Sequence, residues 1–488
     1  MTFDSTGLLA PQIPHTKFLL DAQERLNKSW DGTITGGGKT YTACAMMKNM
    51  GRKFVILCPK LAKPTWEKTL AKFGLKAEVI INYDKLVRGN TPWATFVKTK
   101  KNKEEIRAAL DWPVNDELPF WLRIKLKFPA DWVIICDESH RGKGVESLTA
   151  GIFVALKRQN YACHLMSATQ AMTPLDMRAF GYLMGLHGLT MKKFRVWARD
   201  TAGAQDVGKW NAQYFDSANP ASVAKLKTVH NYLFHEMKVA SRLVREDFGN
   251  IFPDNQIVAE AYDMGAASDK IQGVYDEMEF ELQRLEDRTA NYREHVFAIL
   301  TKARRHAELL KVPTMVDMGL DLYAEGKSVV FFVNYVDTIV ALNERLAKET
   351  HQDLIALIHG AQSYKARCQD IELFNADKKR FTVANMLAGG ESISLHDLNG
   401  KYPRASIFNP SYRAISVLQA LGRIDRAYAM TPVYQRGLLA ARTIEEEVAA
   451  NFTRKHDHLS LINDGDLVPK RVWALTKGLA AEADEVEA

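Results

Sequence analysis

With 488 residues, the chain is too long for a single hydrophobic core, and its length predicts two or three domains. The composition, 47% hydrophobic and 25% charged, is ordinary for a globular protein. No apolar run approaches a membrane span, and the N-terminus lacks a signal-peptide pattern, so we expect a cytoplasmic protein without membrane contact. The five cysteines form no C-x-x-C pair, which predicts buried free thiols and neither zinc sites nor disulfides. The net charge of +7 is compatible with a polyanionic partner but does not by itself indicate one.

The first predicted element is a helix that begins after Pro14, because apolar residues recur there with helical spacing as far as Leu26. Such a helix can pack on the base of a nucleotide. A plain surface helix fits the same spacing.

Residues 33–40 form a glycine-rich stretch that ends in Gly-Lys-Thr, with a helix-compatible run behind it at 41–50. Consecutive glycines let backbone N–H groups converge on an anion, and a helix N-terminus adds partial positive charge there. The pattern predicts a phosphate loop in which Lys39 reaches the β- and γ-phosphates and the Thr40 hydroxyl holds Mg²⁺. An ordinary glycine turn is the alternative, because Thr33 stands where the common pattern opens with glycine. The cradle of such a loop would be Thr35, Gly36, Gly37 and Gly38.

The apolar run 54–59 predicts a buried strand, and a second run at 79–84 repeats the pattern. Lys60, Lys63 and Trp66 follow the first strand, where a helix begins. In a parallel α/β sheet that edge carries the ligand sites.

Residues 91–129 interrupt this alternation with basic side chains interleaved with aromatic ones. Such a mixture suits contact with nucleic acid. A solvated insertion with its own small core is an equally good interpretation. The residues concerned are Lys98, Lys100, Lys101, Lys103, Arg123, Lys125 and Lys127, with Trp93, Phe96, Trp121 and Phe128.

A continuous apolar run beginning at Trp132 predicts a strand buried on both faces, which delivers Asp137 and Glu138 to the carboxyl edge of the sheet. Phosphoryl transfer to water needs a metal anchor and a water-orienting group side by side. Asp137 fits the Mg²⁺ role, and Glu138 fits the water-activating role.

Residues 162–169 predict another strand, which ends in small hydroxyl side chains. Ser167 and Thr169 could couple a nucleotide site to a nucleic-acid groove, and a simple strand-end cap is the alternative. From about 176 to 310 the chain is mainly helical by its pattern, and 276–310 predicts one long helix or a helical pair.

A second α/β unit begins near Met315, with a helix predicted at 336–346. A further helix, predicted over 417–426, carries Arg423 and Arg426 on one face because they are three residues apart. Two such guanidinium groups near a loop can reach into a phosphate site, and surface charge is the benign alternative. The predicted strands of this unit are 328–333, 354–360, 381–386 and 405–410.

Taken in order, these motifs resemble those of the superfamily 2 helicases and translocases over nearly the whole chain. Each motif alone is weak, whereas the ordered set is highly specific. The resemblance implies an α/β fold of two tandem RecA-like domains, parallel sheets flanked by helices, with ATP between them and nucleic acid across their tops. The matching segments are 33–40 (motif I), 59–66 (Ia), 137–140 (II), 167–169 (III), 328–333 (IV), 388–395 (V) and 419–426 (VI).

Finer details lean towards the Swi/Snf-like branch, although compact viral helicases share them and the small size favours a viral or phage source. These details are residues 173–176, Arg242 and Arg245 ahead of Pro253, and residues 443–447. The predicted domains are 1–175 with the basic insertion 91–129, a mainly helical insertion 176–310, a second RecA-like domain 311–450 and a tail 451–488.

The resemblance implies that Lys39, Asp137 and Glu138 act on ATP·Mg²⁺ together with Arg423 and Arg426 from the second domain. Gln419 joins this catalytic set. The residues assigned to nucleic-acid contact or coupling are Lys60, Lys63, Trp66, Ser167, Thr169, His359 and Gly390.

Some positions depart from the family pattern. Thr16 stands where the adenine-reading glutamine is expected, and His15 and Gln23 are the candidate substitutes. Ser392 replaces a usual glycine of motif V, and no clean apolar strand precedes the phosphate loop.

We predict an ATP-dependent helicase or translocase, with ATP and Mg²⁺ as cofactors, that moves on or unwinds DNA. DNA is favoured over RNA because the Swi/Snf-like branch acts on DNA, and further partners would be proteins of replication, recombination or repair. A virus-encoded chain would act in the host cytoplasm. The alternatives are a nucleic-acid-stimulated ATPase that remodels protein–nucleic acid complexes without unwinding, an RNA helicase, or a degenerate fold kept as a structural module.

Overall fold

Two compact units make up the fold, residues 1–249 with 455–468 and residues 250–454 with 469–488. The computed structural model describes residues 3–88, 91–97, 102–112, 122–143, 147–171, 173–207, 212–284, 292–386, 393–409, 414–443, 445, 463 and 474–475.

The first unit is an α/β fold. Its strands are β1 (Lys28–Asp31), β2 (Phe54–Leu57), β3 (Val79–Ile81), β4 (Ala94–Phe96), β5 (Ile124–Leu126), β6 (Val133–Asp137), β7 (Ala162–Met166), β8 (Gln205–Val207), β9 (Ala212–Tyr214) and β10 (Ala240–Ser241). Its helices are α1 (Gln12–Leu26), α2 (Lys39–Met50), α3 (Lys63–Phe73), α4 (Tyr83–Val87), α5 (Lys103–Leu110), α6 (Leu148–Arg158), α7 (Arg178–Met184), α8 (Met191–Asp200) and α9 (Pro220–Asn231). The main sheet is parallel, in the order β10–β1–β7–β6–β2–β3.

This sheet is buried on both faces, which explains its continuous apolar runs. Along β2, Val55 and Leu57 join one hydrophobic cluster, while Phe54 and Ile56 join another. Successive side chains of a strand point to opposite faces, so both sets of side chains of β2 are buried, and all four of its residues are apolar.

Strand β1 corrects the expectation that no strand leads into the glycine stretch. Its sequence is Lys-Ser-Trp-Asp, and its last three residues are buried. The strand pairs in parallel with β7, from Lys28 opposite Cys163 to Asp31 opposite Met166. Apolar periodicity misses it because Ser29 and Asp31 are polar and are buried with hydrogen-bonding partners.

The basic and aromatic insertion contains an antiparallel hairpin, β4–β5, and the helix α5. Trp112 and Phe128 are buried in the same hydrophobic cluster as the main sheet, and Phe128 stacks on Trp93 with ring centroids 5.6 Å apart. The guanidinium of Arg158 lies 3.9 Å from the Trp112 ring. These aromatic side chains therefore form a core, which favours the interpretation as a small packed insertion; Lys98, Lys100, Lys101 and Trp121 lie outside the described residues.

The second unit is also α/β. Its strands are β11 (Asn255–Tyr262), β12 (Ser328–Val333), β13 (Ile355–Ile358), β14 (Phe381–Asn385), β15 (Arg404–Phe408), β16 (Val433–Ala440) and β17 (Ala474–Leu475). Its helices are α10 (Ala266–Gln283), α11 (Tyr292–Leu310), α12 (Val312–Ala324), α13 (Val336–Glu349), α14 (Tyr364–Asn375) and α15 (Ala414–Leu421). The parallel sheet has the order β13–β14–β12–β15–β16–β11–β17. Two parallel sheets flanked by helices confirm the predicted fold class.

The stretch 176–310 contributes to both units. It supplies β10 to the first sheet and β11 to the second, and it contains the small antiparallel pair β8–β9. The segment 276–310 is divided between α10 and α11, which pack against each other. The domain limits themselves stay a prediction.

Glu308, near the end of α11, ties that helix to the second sheet. This carboxylate is fully buried and accepts the backbone N–H groups of Asn334 (2.9 Å) and Tyr335 (3.1 Å). It also accepts the side-chain amide of Asn409 at 2.6 Å. Because Asn334 and Asn409 directly follow β12 and β15, the helix is locked to the carboxyl ends of two neighbouring strands.

Candidate nucleotide-binding site

The glycine loop runs from the end of β1 to the start of α2, so it lies at the carboxyl edge of the first sheet. Gly36 and Gly38 both have φ of +82°, a left-handed conformation that favours glycine. A Cβ added at Gly37 would lie 2.6 Å from Thr33 Cγ2, and one at Gly38 would lie 2.4 Å from Gln12 Nε2. The loop therefore places closely packed backbone at a helix N-terminus, and a helix N-terminus is the element that binds phosphate groups.

Lys39 begins α2 and folds back over the loop. Its Nζ donates to the carbonyls of Thr33 (2.7 Å) and Ile34 (3.1 Å). Burial lowers the pKa of Lys39, and the charges of Asp31, Glu138 and Asp137, in that order, oppose the shift. The ammonium group therefore lies within the electrostatic reach of both adjacent carboxylates that the sequence singled out.

Asp31 is fully buried at the start of the loop, and sequence reasoning missed it. Its Oδ1 accepts the N–H of Thr33 at 2.9 Å and lies 3.2 Å from His15 Nε2. His15 Nδ1 lies 2.7 Å from Ser241 Oγ on β10. Burial by itself would raise the pKa of Asp31, but the charges of His15 and Lys39 and the hydrogen bond from His15 lower it overall. This group of contacts joins α1, β1, β10 and the glycine loop.

Asp31→Ala is expected to destabilise the first unit by about 1 to 3 kcal/mol, because it leaves the buried N–H of Thr33 and the buried His15 ring without their acceptor. The lowered pKa means that the carboxylate stabilises the fold above the ordinary aspartate pKa of about 3.9, and that this contribution is lost as the pH falls below it. Asp31→Asn should cost less, since its amide oxygen can still accept from Thr33. Urea unfolding followed by tryptophan fluorescence measures the effect, because every tryptophan except Trp473 lies within residues 1–249. Identical midpoints for the wild type and both variants would contradict this role.

Asp137 ends the fully buried strand β6, and its side chain is held by Trp66, whose Nε1 donates to Oδ2 at 2.9 Å. Tyr83 donates to the Asp137 carbonyl at 2.7 Å. Burial and the neighbouring charge of Glu138 raise the pKa of Asp137 to about 6, and the bond from Trp66 works against that rise. Burial and the charge of Glu138 destabilise the ionised form of Asp137, and a cation placed beside the carboxylate would stabilise that form.

Glu138 has φ of +51°, a left-handed conformation that is uncommon for a residue other than glycine. The chain therefore turns immediately after β6. Glu138 Oε2 lies 3.4 Å from His140 Nδ1, and the same nitrogen lies 3.1 Å from Ser167 Oγ after β7. Ser167 Oγ also accepts the N–H of Thr169 at 3.1 Å. The residues of motifs II and III are thus joined by hydrogen bonds, as their adjacent strands permit.

The three residues after β2 differ in exposure. Lys60 and Lys63 are exposed, and Lys63 Nζ lies 3.8 Å from Glu67 one turn along α3. Trp66 is only 1% exposed and donates to Asp137. Its predicted contact with a nucleic-acid backbone needs this correction, because the indole is packed inside the first unit and positions a carboxylate instead.

Thr16, at the predicted adenine-reading position, and its candidate substitutes His15 and Gln23 are also buried. The Thr16 hydroxyl donates to the Gln12 carbonyl at 2.6 Å within its own helix, and His15 is held by Asp31 and Ser241. Gln23 accepts the Ser29 hydroxyl at 3.0 Å. These contacts favour a structural role for all three side chains, and contact with a base stays a prediction.

In the second unit, helix α15 ends at Leu421, so Arg423 and Arg426 do not share a helix face as predicted. Gly422 follows the helix, and the Arg423 carbonyl accepts the N–H of Leu395 at 2.9 Å rather than continuing the helical ladder. Arg426 Nη2 donates to the Ile393 carbonyl at 2.8 Å. Both arginines are therefore positioned by turns that are bonded to the end of motif V.

The remaining predicted residues of the second unit are described in part. Gln419 lies in α15 and is 7% exposed. His359 follows β13 and is half-buried, and its backbone N–H donates to Gln362 Oε1 at 3.2 Å. Gly390 and Ser392 lie outside the described residues.

Comparison with known proteins identifies the family. Residues 310–428 match the helicase conserved C-terminal domain. Over 443 residues the chain is 32% identical to the putative ATP-dependent RNA helicase L364 of Acanthamoeba polyphaga mimivirus, covering 90% of this chain and 80% of that protein. The chain belongs to the superfamily 2 helicases. The predicted resemblance is confirmed, including its viral type, and this helicase is an ATP-hydrolysing enzyme of the helicase and translocase class.

Three further proteins are more distantly similar to this helicase. The RAD54-like DNA repair and recombination protein of Drosophila ananassae is 30% identical over 145 residues, which are 29% of this chain and 18% of that protein. The corresponding protein of Drosophila erecta is 30% identical over 147 residues, with the same shares. The Sulfolobus solfataricus SWI2/SNF2 ATPase core in complex with dsDNA aligns over 95% of this chain and 94% of that chain, with 14% identity and a TM-score of 0.36.

Within the described parts of this helicase, no helix combines the length and the apolar character needed to cross a membrane. The same residues contain no group of three or more His, Cys, Asp or Glu side chains that could hold a metal ion. The cysteines at 44, 58, 136 and 163 are buried free thiols as predicted, while Cys368 is half-buried.

Proposed function

We propose that this superfamily 2 helicase couples ATP hydrolysis at its glycine loop to movement on DNA. One observation carries the proposal: Lys39 begins α2 and folds back over the glycine loop, at the carboxyl edge of the same parallel sheet in which β6 ends at Asp137, directly before Glu138. A backbone cradle, an ammonium group and two adjacent carboxylates supply the groups that phosphoryl transfer to water requires.

The donor set suits Mg²⁺. Thr40 and Asp137 would hold the ion with one hydroxyl and one carboxylate, and magnesium commonly takes few protein ligands beside substrate phosphates and water. When bound, the ion neutralises charge on the transferred phosphoryl group.

Glu138 would orient the attacking water, since its carboxylate stands next to the metal-binding Asp137 and is itself oriented by His140. We assign Arg423 and Arg426 to the same reaction, as the groups that the second unit contributes to the developing charge. Their support is the motif VI resemblance and the fact that both contact motif V, Arg423 through its carbonyl and Arg426 through its guanidinium.

The hydrogen-bonded set Glu138, His140, Ser167 and Thr169 is our candidate for relaying the nucleotide state. The exposed Lys60 and Lys63 remain the candidates in the first unit for contact with a phosphate backbone, and such contacts are independent of sequence and sensitive to salt.

DNA is the proposed polymer because the RAD54-like relatives are named for DNA repair and recombination. RNA is the second candidate, since the mimivirus relative is named an RNA helicase and is similar over most of the chain. Proteins of replication, recombination or repair are the proposed further partners, and the cytoplasm, of the host if a virus encodes the chain, is the proposed place of action.

ATPase assays with single-stranded DNA, duplex DNA and RNA test the choice of polymer. Stimulation by DNA above that by RNA is expected, and the reverse order would replace DNA by RNA in the proposal. If the ATPase rate is the same with each polymer as it is without any polymer, the result would favour an ATPase that acts on proteins instead of nucleic acid. Forked, tailed and branched substrates then separate unwinding from translocation. Unwinding releases a labelled strand from these substrates, whereas translocation alone releases none.

The Mg²⁺ requirement of the ATPase is expected to rise as the pH falls through about 6, because the pKa of Asp137 lies there and only the carboxylate binds the cation. Trp66→Phe removes the hydrogen bond that opposes this pKa rise, so the increase should begin at a pH roughly 0.5 to 1 higher. Titrating Mg²⁺ at several pH values measures both effects. Trp132→Phe is the matched control, since Trp132 is also buried but packs on Trp93. Identical pH profiles for Trp66→Phe and the wild type would contradict the assignment.

A further inference from the structure

Asn463 comes late in the chain but is packed in the first unit. It belongs to residues 455–468, which join that unit although the chain before and after them belongs to the second. Its side chain is 1% exposed, and its Nδ2 donates to the Ala168 carbonyl at 3.1 Å. The donor must be Nδ2, because a carbonyl oxygen can only accept. A segment that the chain reaches only after residue 454 therefore holds the backbone of motif III, residues 167–169.

The Ala168 carbonyl is also approached by Arg242. The Nη1 atom of Arg242 lies 3.5 Å from this oxygen, and it donates at 2.7 Å to the carbonyl of Gly32, directly before the glycine loop. A separation of 3.5 Å is beyond the usual range of an N–H···O bond. The shorter bond from Asn463 is therefore the stronger of these two constraints on the orientation of the carbonyl.

The orientation of this carbonyl also sets that of the next N–H, because the C=O and the N–H of a trans peptide point in opposite directions. The Thr169 N–H donates to Ser167 Oγ at 3.1 Å, and the same oxygen lies 3.1 Å from His140 Nδ1. That nitrogen lies 3.4 Å from Glu138 Oε2. One line of contacts thus runs from Asn463 to the carboxylate that we assign to the attacking water.

The other polar atom of the Asn463 side chain bears on why an amide stands here. Within the described part of the chain, Oδ1 is buried and has no hydrogen-bond partner. A buried polar atom without a partner costs at least as much free energy as one hydrogen bond returns. An apolar side chain of similar size would avoid that cost, so the stability of the fold does not account for the amide.

We propose that Asn463 is a positioning residue for ATP hydrolysis, whose amide holds the Ala168–Thr169 peptide and thereby the hydrogen-bonded set that ends at Glu138. This inference rests on the proposed ATP site and on the proposed role of Glu138. It makes hydrolysis in the first unit depend on a segment that follows residue 454.

Asn463→Leu keeps a side chain of similar size that cannot donate. Its kcat for ATP is expected to fall about tenfold, the value of one buried hydrogen bond, while its KM for ATP changes by less than about twofold because the glycine loop is untouched. The thermal midpoint should stay close to the wild-type value, since leucine also removes the unpaired oxygen. Asn463→Asp presents acceptors to the carbonyl and should slow kcat at least as much. Steady-state ATPase rates without polymer, with duplex DNA and with RNA measure both variants.

Asn49→Ala is the matched control. The Asn49 amide also donates to a backbone carbonyl of the first unit, that of Asp4 at 2.9 Å, but it does so at the far end of α2. Its thermal midpoint should fall while its kcat stays at the wild-type value. A wild-type kcat in both Asn463 variants would overturn the inference, as would an equal fall of kcat in Asn49→Ala. A large fall of the thermal midpoint in Asn463→Leu would also overturn it, by making Asn463 a structural contact.

Lys39→Ala separates this inference from the function on which it rests. If Lys39→Ala is inactive and both Asn463 variants hydrolyse ATP normally, only the role of Asn463 fails. If Lys39→Ala hydrolyses ATP at the wild-type rate, the assignment of the glycine loop itself fails.

Discussion

Arg423→Ala is expected to slow ATP hydrolysis by about 10³-fold to 10⁵-fold while ATP binding stays largely intact. The size of the effect follows from the proposed role, because a guanidinium that meets charge developing on the transferred phosphoryl group acts mainly in the transition state. The substitution leaves the Arg423 carbonyl and its bond to Leu395 in place. Because the side chain is buried, the thermal midpoint of the variant is measured alongside to check that the fold survives. Single-turnover hydrolysis and nucleotide affinity are the measurements.

Two further variants sharpen the test of Arg423. Arg423→Lys keeps the positive charge but loses the planar fork, so it should remain slow. Arg442→Ala removes an exposed arginine of the same unit, which pairs with Asp263 at 2.9 Å, and should hydrolyse ATP normally. Unchanged hydrolysis in Arg423→Ala would argue against a site completed by the second unit.

Turnover is expected to be abolished by Lys39→Ala and to fall by about 10²-fold to 10⁴-fold in Glu138→Gln. The two variants should fail at different steps. Lys39→Ala removes the ammonium that would grip the phosphates, so it should lose ATP affinity, whereas Glu138→Gln keeps the shape of the site and should bind ATP without hydrolysing it. Comparing nucleotide affinity with the rate of phosphate release distinguishes these outcomes.

Lys48→Ala is the control for Lys39, because it lies on the same helix but pairs with Asp4 at 2.8 Å on the surface. It should hydrolyse ATP at the wild-type rate. Wild-type turnover in Lys39→Ala or Glu138→Gln would remove the corresponding residue from the mechanism.

Much of the fold follows from local sequence patterns. The runs that became β2, β6 and β12 are apolar except for Asp137 at the end of β6 and Ser328 at the start of β12, and burial of a strand on both faces favours such a composition. The positions of Lys39, Asp137 and Glu138 relative to these elements were likewise predictable, because a glycine-rich turn and an acidic pair are each defined by adjacent residues.

Other features depended on contacts between residues distant in the chain. Strand β1 is too polar for apolar periodicity and is recognisable only once His15 and Thr33 are seen to satisfy Asp31. Helix α15 ends at Leu421, and the Arg423 carbonyl beyond it pairs with Leu395, a partner that lies 28 residues earlier. No spacing rule carries that information.

The sequence by itself determined the two parallel α/β units and the reactive groups at the ends of their strands, since both follow from patterns within a few residues. Only the tertiary structure decided what surrounds those groups. Trp66 positions Asp137 rather than facing a ligand, and Gln12 reaches Gly37 across 25 residues of chain. The reason is physical: burial and hydrogen bonding of a polar side chain depend on which segments the fold brings together, and that is a property of the whole unit.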